Sequence, residues 1–68
     1  MNENLIREIV DGIVESADEI LEKKDRDLVE QGQLIAYAES LSIIRDAYSG
    51  YDLEEIGLNF DIDAKYLA

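Results

Sequence analysis

With 68 residues, no Cys and no His, the chain is one domain at most, and it has neither disulfides nor the usual zinc ligands to brace it. Its formal charge of −11, from 17 acidic and 6 basic residues, argues against partners bound through phosphates, so no nucleic acid and no membrane partner is expected. At 47% hydrophobic the sequence is too apolar for a disordered acidic tail, which leaves self-association as the route by which so small a core is reinforced.

The amino terminus, Met1-Asn2-Glu3-Asn4, lacks the basic start of a signal peptide. No apolar run approaches the roughly 20 residues that span a bilayer. A soluble, cytoplasmic protein without cofactor or metal is the expectation, folded as a single small helical domain over residues 1–68.

The first helix is predicted over about 5–24. Ile6, Val10, Ile13, Ala17 and Ile20 step by fours and threes, and Ile9, Val14 and Leu21 broaden that seam beyond a two-stranded coil. Asn2 or Asn4 is placed to cap its start, with Glu3 and Glu8 near the positive end of the helix dipole and Lys23 and Lys24 at the negative end. Asp25-Arg26-Asp27 reads as a turn. Asp27-Leu28-Val29-Glu30 then has capping-box form and opens a second helix over about 28–49, closed by Ser49-Gly50. Within it Leu34, Tyr37, Leu41, Ile44, Tyr48 and Tyr51 recur at helical spacing, and Ile35, Ala38 and Ala47 widen the face. Gly12 and Gly32 each weaken a helix by about 1 kcal/mol against Ala; close helix approach or simple tolerance explains them.

An antiparallel hairpin brings together positions whose numbers sum to about 51, so that Ala17 faces Leu34, Ile13 faces Ala38 and Val10 faces Leu41. The rival is one long helix in an extended coiled coil. It places Lys24, Asp27 and Gln31 in succession on the seam, and the hairpin is preferred for that reason. After Gly50, Asp52-Leu53-Glu54-Glu55 repeats the capping-box form before Gly57. The alternation of Leu58, Phe60 and Ile62 with Asn59, Asp61 and Asp63 suggests a tail docked across one end of the hairpin, with Asp61 capping a final turn. The fold expected is all-α: a helical hairpin with a short C-terminal helical segment, two copies forming a four-helix core.

Gly32-Gln33-Leu34-Ile35-Ala36-Tyr37, Leu41-Ser42-Ile43-Ile44, Leu53-Glu54-Glu55-Ile56-Gly57-Leu58 and Asp61-Ile62-Asp63 carry a resemblance. This part of the chain resembles a loose group of short, acidic, all-helical proteins of Gram-positive bacteria and their phages or mobile elements. The resemblance implies a bacterial cytosolic setting and no catalytic residue.

Two constellations bear on function. Glu8, Asp11, Glu15, Asp18 and Glu22 line one side of the first helix at spacings of three and four, about 5–6 Å between neighbours. Such a stripe imitates a nucleic-acid backbone to a basic DNA-binding protein, or simply keeps a small protein dispersed; only one helix carries it, which favours the second. Tyr37, Tyr48 and Tyr51, with Ile35 and Ile44, form the candidate interface, because Tyr joins a large apolar body to a polar tip. Asn59, Asp61 and Asp63 match the start of a calcium loop, but Ala64 stands where such a loop requires Gly, so metal binding is not expected. The four Ser residues lack a His to activate them, and an enzyme is not expected. The functional expectation is a protein–protein interaction or structural module acting as a homodimer; the alternative is an acidic inhibitor of a basic protein.

Overall fold

The computed structural model describes residues 3–68, with Glu3 described by its backbone alone. Helix α1 spans Glu3–Leu21 and helix α2 spans Leu28–Ala47; a 3₁₀ turn over Leu53–Ile56 and helix α3 over Ile62–Tyr66 follow. The two long helices pack antiparallel, as the hairpin reading requires. The Cα positions extend over 37 × 19 × 15 Å, far short of the roughly 65–70 Å that one continuous helix of about 45 residues would reach.

Local chemistry explains where each element begins. Glu30 N–H donates to Asp27 Oδ1 at 2.7 Å while Glu30 Oε1 accepts from Asp27 N–H at 3.3 Å, the reciprocal cap that starts α2. Asp61 Oδ1 accepts from Ala64 N–H at 3.1 Å and starts α3. Asp52 instead accepts from Glu54 N–H, one residue earlier than a capping box would place it. The difference follows from the tighter 3₁₀ winding, in which Glu55 N–H bonds back to Asp52 O at 3.1 Å. Gly57, at φ +78°, closes that turn: its N–H donates to Glu54 O at 3.2 Å and Leu58 N–H reaches back to Leu53 O at 2.9 Å. Gly50, at φ +93°, lets the chain reverse after α2.

Three boundaries differ from the sequence reading. Helix α1 spans Glu3–Leu21, so Asn4 lies inside it and not at the cap position expected; Asn2 lies outside the described residues. The same helix stops at Leu21, not near residue 24, and of the two cations expected on its dipole Lys23 turns to the start of α2 while Arg26, from the turn, reaches the last carbonyl. Arg26 Nη1 donates to Leu21 O at 3.0 Å, and the Lys23 ammonium pairs with Glu30 at the start of α2. The Lys23 bond holds the Glu30 carboxyl below its usual range, aided by the Asp27 amide. Helix α2 ends at Ala47, two residues early, with Tyr48 N–H sharing the carbonyls of Ile44 and Arg45.

The tail takes a different path from the one expected. It runs the length of the hairpin instead of crossing one end. Arg7 Nη1 donates to Glu54 O and Glu55 O at 3.3 and 3.4 Å near the open end. At its other extremity Tyr66 Oη donates to Asp18 Oδ1 at 2.8 Å, Lys65 Nζ sits 3.1 Å from the same oxygen, and Tyr66 and Leu67 reach the turn beside Arg26 and Gln31. Three layers result, and each supplies the core: Val10, Ala17 and Ile20 from α1, Leu34, Ala38 and Leu41 from α2, and Ile56, Leu58, Ile62 and Tyr66 from the tail. Ile13, expected opposite Ala38, is only half-buried.

Burial raises the pKa of the Tyr66 phenol, and its bond to Asp18 raises it further, so the hydroxyl stays a donor. Asp18→Ala would leave that nearly buried hydroxyl without its acceptor, and a loss of about 1–3 kcal/mol is expected in urea unfolding. The double variant Asp18→Ala/Tyr66→Phe should recover part of it, since both ends of the bond are then gone. Equal stability of wild type and Asp18→Ala would show that this bond contributes nothing.

Simple tolerance accounts for Gly12 and Gly32 within the chain. A Cβ built on either meets nothing within 4 Å. Gly32→Ala is therefore expected to raise stability by about 1 kcal/mol through helix propensity alone. A lowered denaturation midpoint would instead reveal a constraint on that position.

Candidate functional site

The tail covers one side of the hairpin and leaves the other bare. On α1 the residues that meet the tail are Arg7, Asp11 and Asp18: Arg7 reaches the 3₁₀ turn, Asp18 holds Lys65 and Tyr66, and Asp11 Oδ1 lies 3.7 Å from where a Cβ on Gly57 would stand. At 100° per residue the opposite edge of α1 is Leu5, Ile9, Gly12 and Ser16. The matching edge of α2 is Val29, Gln33, Ala36, Ser40, Ile43 and Ala47. Neither edge carries a charged residue, in a chain that is 34% charged.

This face is apolar as well as uncharged. Leu5, Ile9, Val29, Ile43 and Tyr51 are all large and half or more exposed, Ile43 at 69%. At the open end of the hairpin the two helices part into a groove of about 470 Å³ lined by Ile6, Ile9, Ile43, Ile44, Ala47, Tyr48 and Tyr51. The Tyr48 and Tyr51 rings lie 5.0 Å apart and wall its end, with Tyr48 Oη 3.4 Å from Glu55 Oε2. Groove and edges form one surface along both helices.

The residues singled out from the sequence divide between two places. Ile44, Tyr48 and Tyr51 line the groove, and Tyr37, half-buried, lies on the same side of α2. Ile35 is elsewhere. It borders a wider hollow of about 710 Å³ at the turn, beside Lys24, Asp25, Arg26, Gln31 and Leu67. That hollow mixes both signs of charge around a shallow apolar floor and converges no set of groups on a point. The acidic stripe also divides: Asp11 pairs with Arg7 at 4.0 Å and Asp18 is bound to the tail, whereas Glu8, Glu15 and Glu22 face solvent. Arg45 pairs with its own neighbour Asp46 at 3.5 Å.

Leu5, Val29 and Ile43 were not among the interface residues read from the sequence. The signal that finds them is the missing charge. Positions 29, 33, 36, 40, 43 and 47 of α2 recur at helical spacing without one Asp, Glu, Lys or Arg, which a solvated face would carry. Among the described residues no group of His, Cys, Asp or Glu is arranged to hold a metal ion, and no helix is long and apolar enough to cross a membrane. No family model, curated protein or solved structure matches this chain.

Proposed function

We propose that this chain is a protein–protein interaction module that self-associates, two copies pairing through the charge-free face of α1 and α2 into a four-helix core. The observation that carries this reading is the pairing of exposed apolar bulk with absent charge on one continuous side of the molecule. Soluble monomers seldom leave such a surface open beyond a few hundred Å². A side of the molecule 37 Å long and 15 to 19 Å wide, its charged margins included, covers about 550–700 Å², of the order of the ~800 Å² per partner of a standard interface. A two-fold axis pairs the surface with itself, the commonest arrangement among homo-oligomers. Small residues at its middle, Gly12, Ser16, Ala36 and Ser40, let helices approach closely, and Ile9, Ile43 and Tyr51 supply the bulk that becomes buried.

Ile43→Asp tests the reading. Ile43 is exposed, so the variant is expected to keep the helicity of the wild type, yet to sediment as a 7.7 kDa monomer where the wild type sediments at twice that mass, and to melt lower by whatever the dimer contributes. Moderate salt should tighten the wild-type dimer by screening two like-charged chains. A wild type that stays at monomer mass at every salt and micromolar concentration would end the proposal, as would an Ile43→Asp dimer.

A further inference from the structure

The edges of the charge-free face point to a second kind of occupant. On α1, Glu8, Glu15 and Glu19 share the helical row of Gly12 and border the face along its outer side; all are exposed, and none makes an ion pair among the described residues. On α2, Glu39 and Asp46 lie four residues before and three after Ile43, on its row. Asp46 is partly offset by Arg45, while Glu39 makes no ion pair among the described residues. The apolar strip is thus fenced by carboxylates on both long sides. Any two-fold pairing of identical copies lays acidic fence against acidic fence, whichever way the axis runs.

We infer that this face also takes, in competition with the second copy, an amphipathic helix of another protein, its apolar stripe flanked on both sides by Lys or Arg. The inference rests on the reading that the face is an interaction surface, and it names the partner that the charges select. A helix of this kind lays its stripe into the groove beside Ile9, Ile43 and Tyr51, in the helix-in-groove mode of recognition. Its flanking cations then meet Glu8, Glu15, Glu19 and Glu39, turning the fence from a penalty into a selector. A second copy fills the same face only when salt hides the repulsion.

The two occupants respond to salt with opposite sign, and the test uses that. The probe is a synthetic amphipathic helix of about 18 residues, matching the 19 and 20 residues of α1 and α2, with a Leu/Ile stripe flanked by Lys. One control keeps the stripe and carries Glu flanks; a second keeps the Lys content but scrambles the stripe. Titration of the full chain is expected to show the Lys-flanked helix binding at least roughly tenfold tighter than either control. Binding should dissociate the homodimer, weaken as salt rises, and be lost in Ile43→Asp. Glu15→Gln/Glu39→Gln, altering two exposed side chains, should weaken it without loss of helicity, while the homodimer, relieved of repulsion, is no weaker. Equal binding of the Glu-flanked control, or of the scrambled one, overturns the inference. A chain that dimerises through Ile43 but ignores the Lys-flanked helix overturns it too, and leaves self-association standing. Peptide binding with no dimer at any salt removes self-association and leaves the inference standing.

Discussion

Ala38→Glu is expected to abolish cooperative thermal unfolding. Ala38 is 1% exposed and lies on the buried row of α2 between Leu34 and Leu41, where α1 and the tail both close over the helix. A carboxylate there is removed from water with no cation to receive it. Arg7, Lys23, Arg26, Arg45 and Lys65 are each engaged elsewhere, and Lys24 stands in the turn. An unpaired buried charge costs several kcal/mol, and the longer side chain adds overpacking. Against the roughly 3–10 kcal/mol that a domain of this length holds in total, that is enough to unfold it. The same exchange at the exposed Ala64 should move stability by no more than about 0.5 kcal/mol. A sharp melt in Ala38→Glu would mean that residue 38 is not enclosed.

The features legible in the sequence were those fixed by neighbours a few residues away. Asp27 and Glu30 specify the start of α2 because both partners of the cap lie within one turn, and Asp61 and Gly57 act in the same local way. The end of α1 was not legible, because it depends on Arg26 reaching Leu21 and on Lys23 finding Glu30, contacts that exist only once the turn has formed. The tail's path was hidden for a related reason. Alternating Leu58, Phe60 and Ile62 announce that something will be buried, but not against which groove. Asp18 settles it, by holding Lys65 and Tyr66 from 47 and 48 residues away.

The candidate site was half legible for a physical reason too. Apolar excess on α2 marked Ile44, Tyr48 and Tyr51, but helical spacing alone cannot tell which side of an apolar helix the tail will cover. Ile35 falls on the turn side, near Leu67, and Ile43 on the bare side. Asp11 and Asp18, read as part of an acidic stripe, face the tail. Knowing the tail's side therefore sorts both the apolar and the acidic residues at once.

Removal of the chain after Ser49 is expected to leave the remaining hairpin unfolded, although the hairpin holds both long helices. The deletion takes away Ile56, Leu58, Ile62 and Tyr66, four of the ten buried core residues among those described, each at most 4% exposed. It also uncovers Val10 and Leu41, which are fully enclosed in the intact chain. Truncating one buried Ile or Leu to Ala already costs about 2–5 kcal/mol, so Ile62→Ala alone should consume a large part of the stability. Losing all four exceeds what 68 residues accumulate. Nor do the helices hold by themselves, since isolated helices of about 20 residues are marginal in water without a packed face. The shortened chain would bare a second apolar side in addition to the one already exposed, so collapse into soluble aggregates at moderate salt is the expected fate. Far-ultraviolet circular dichroism during heating decides the matter. A truncated chain that keeps its helicity and melts cooperatively would make the hairpin self-sufficient and reduce the tail to a cover.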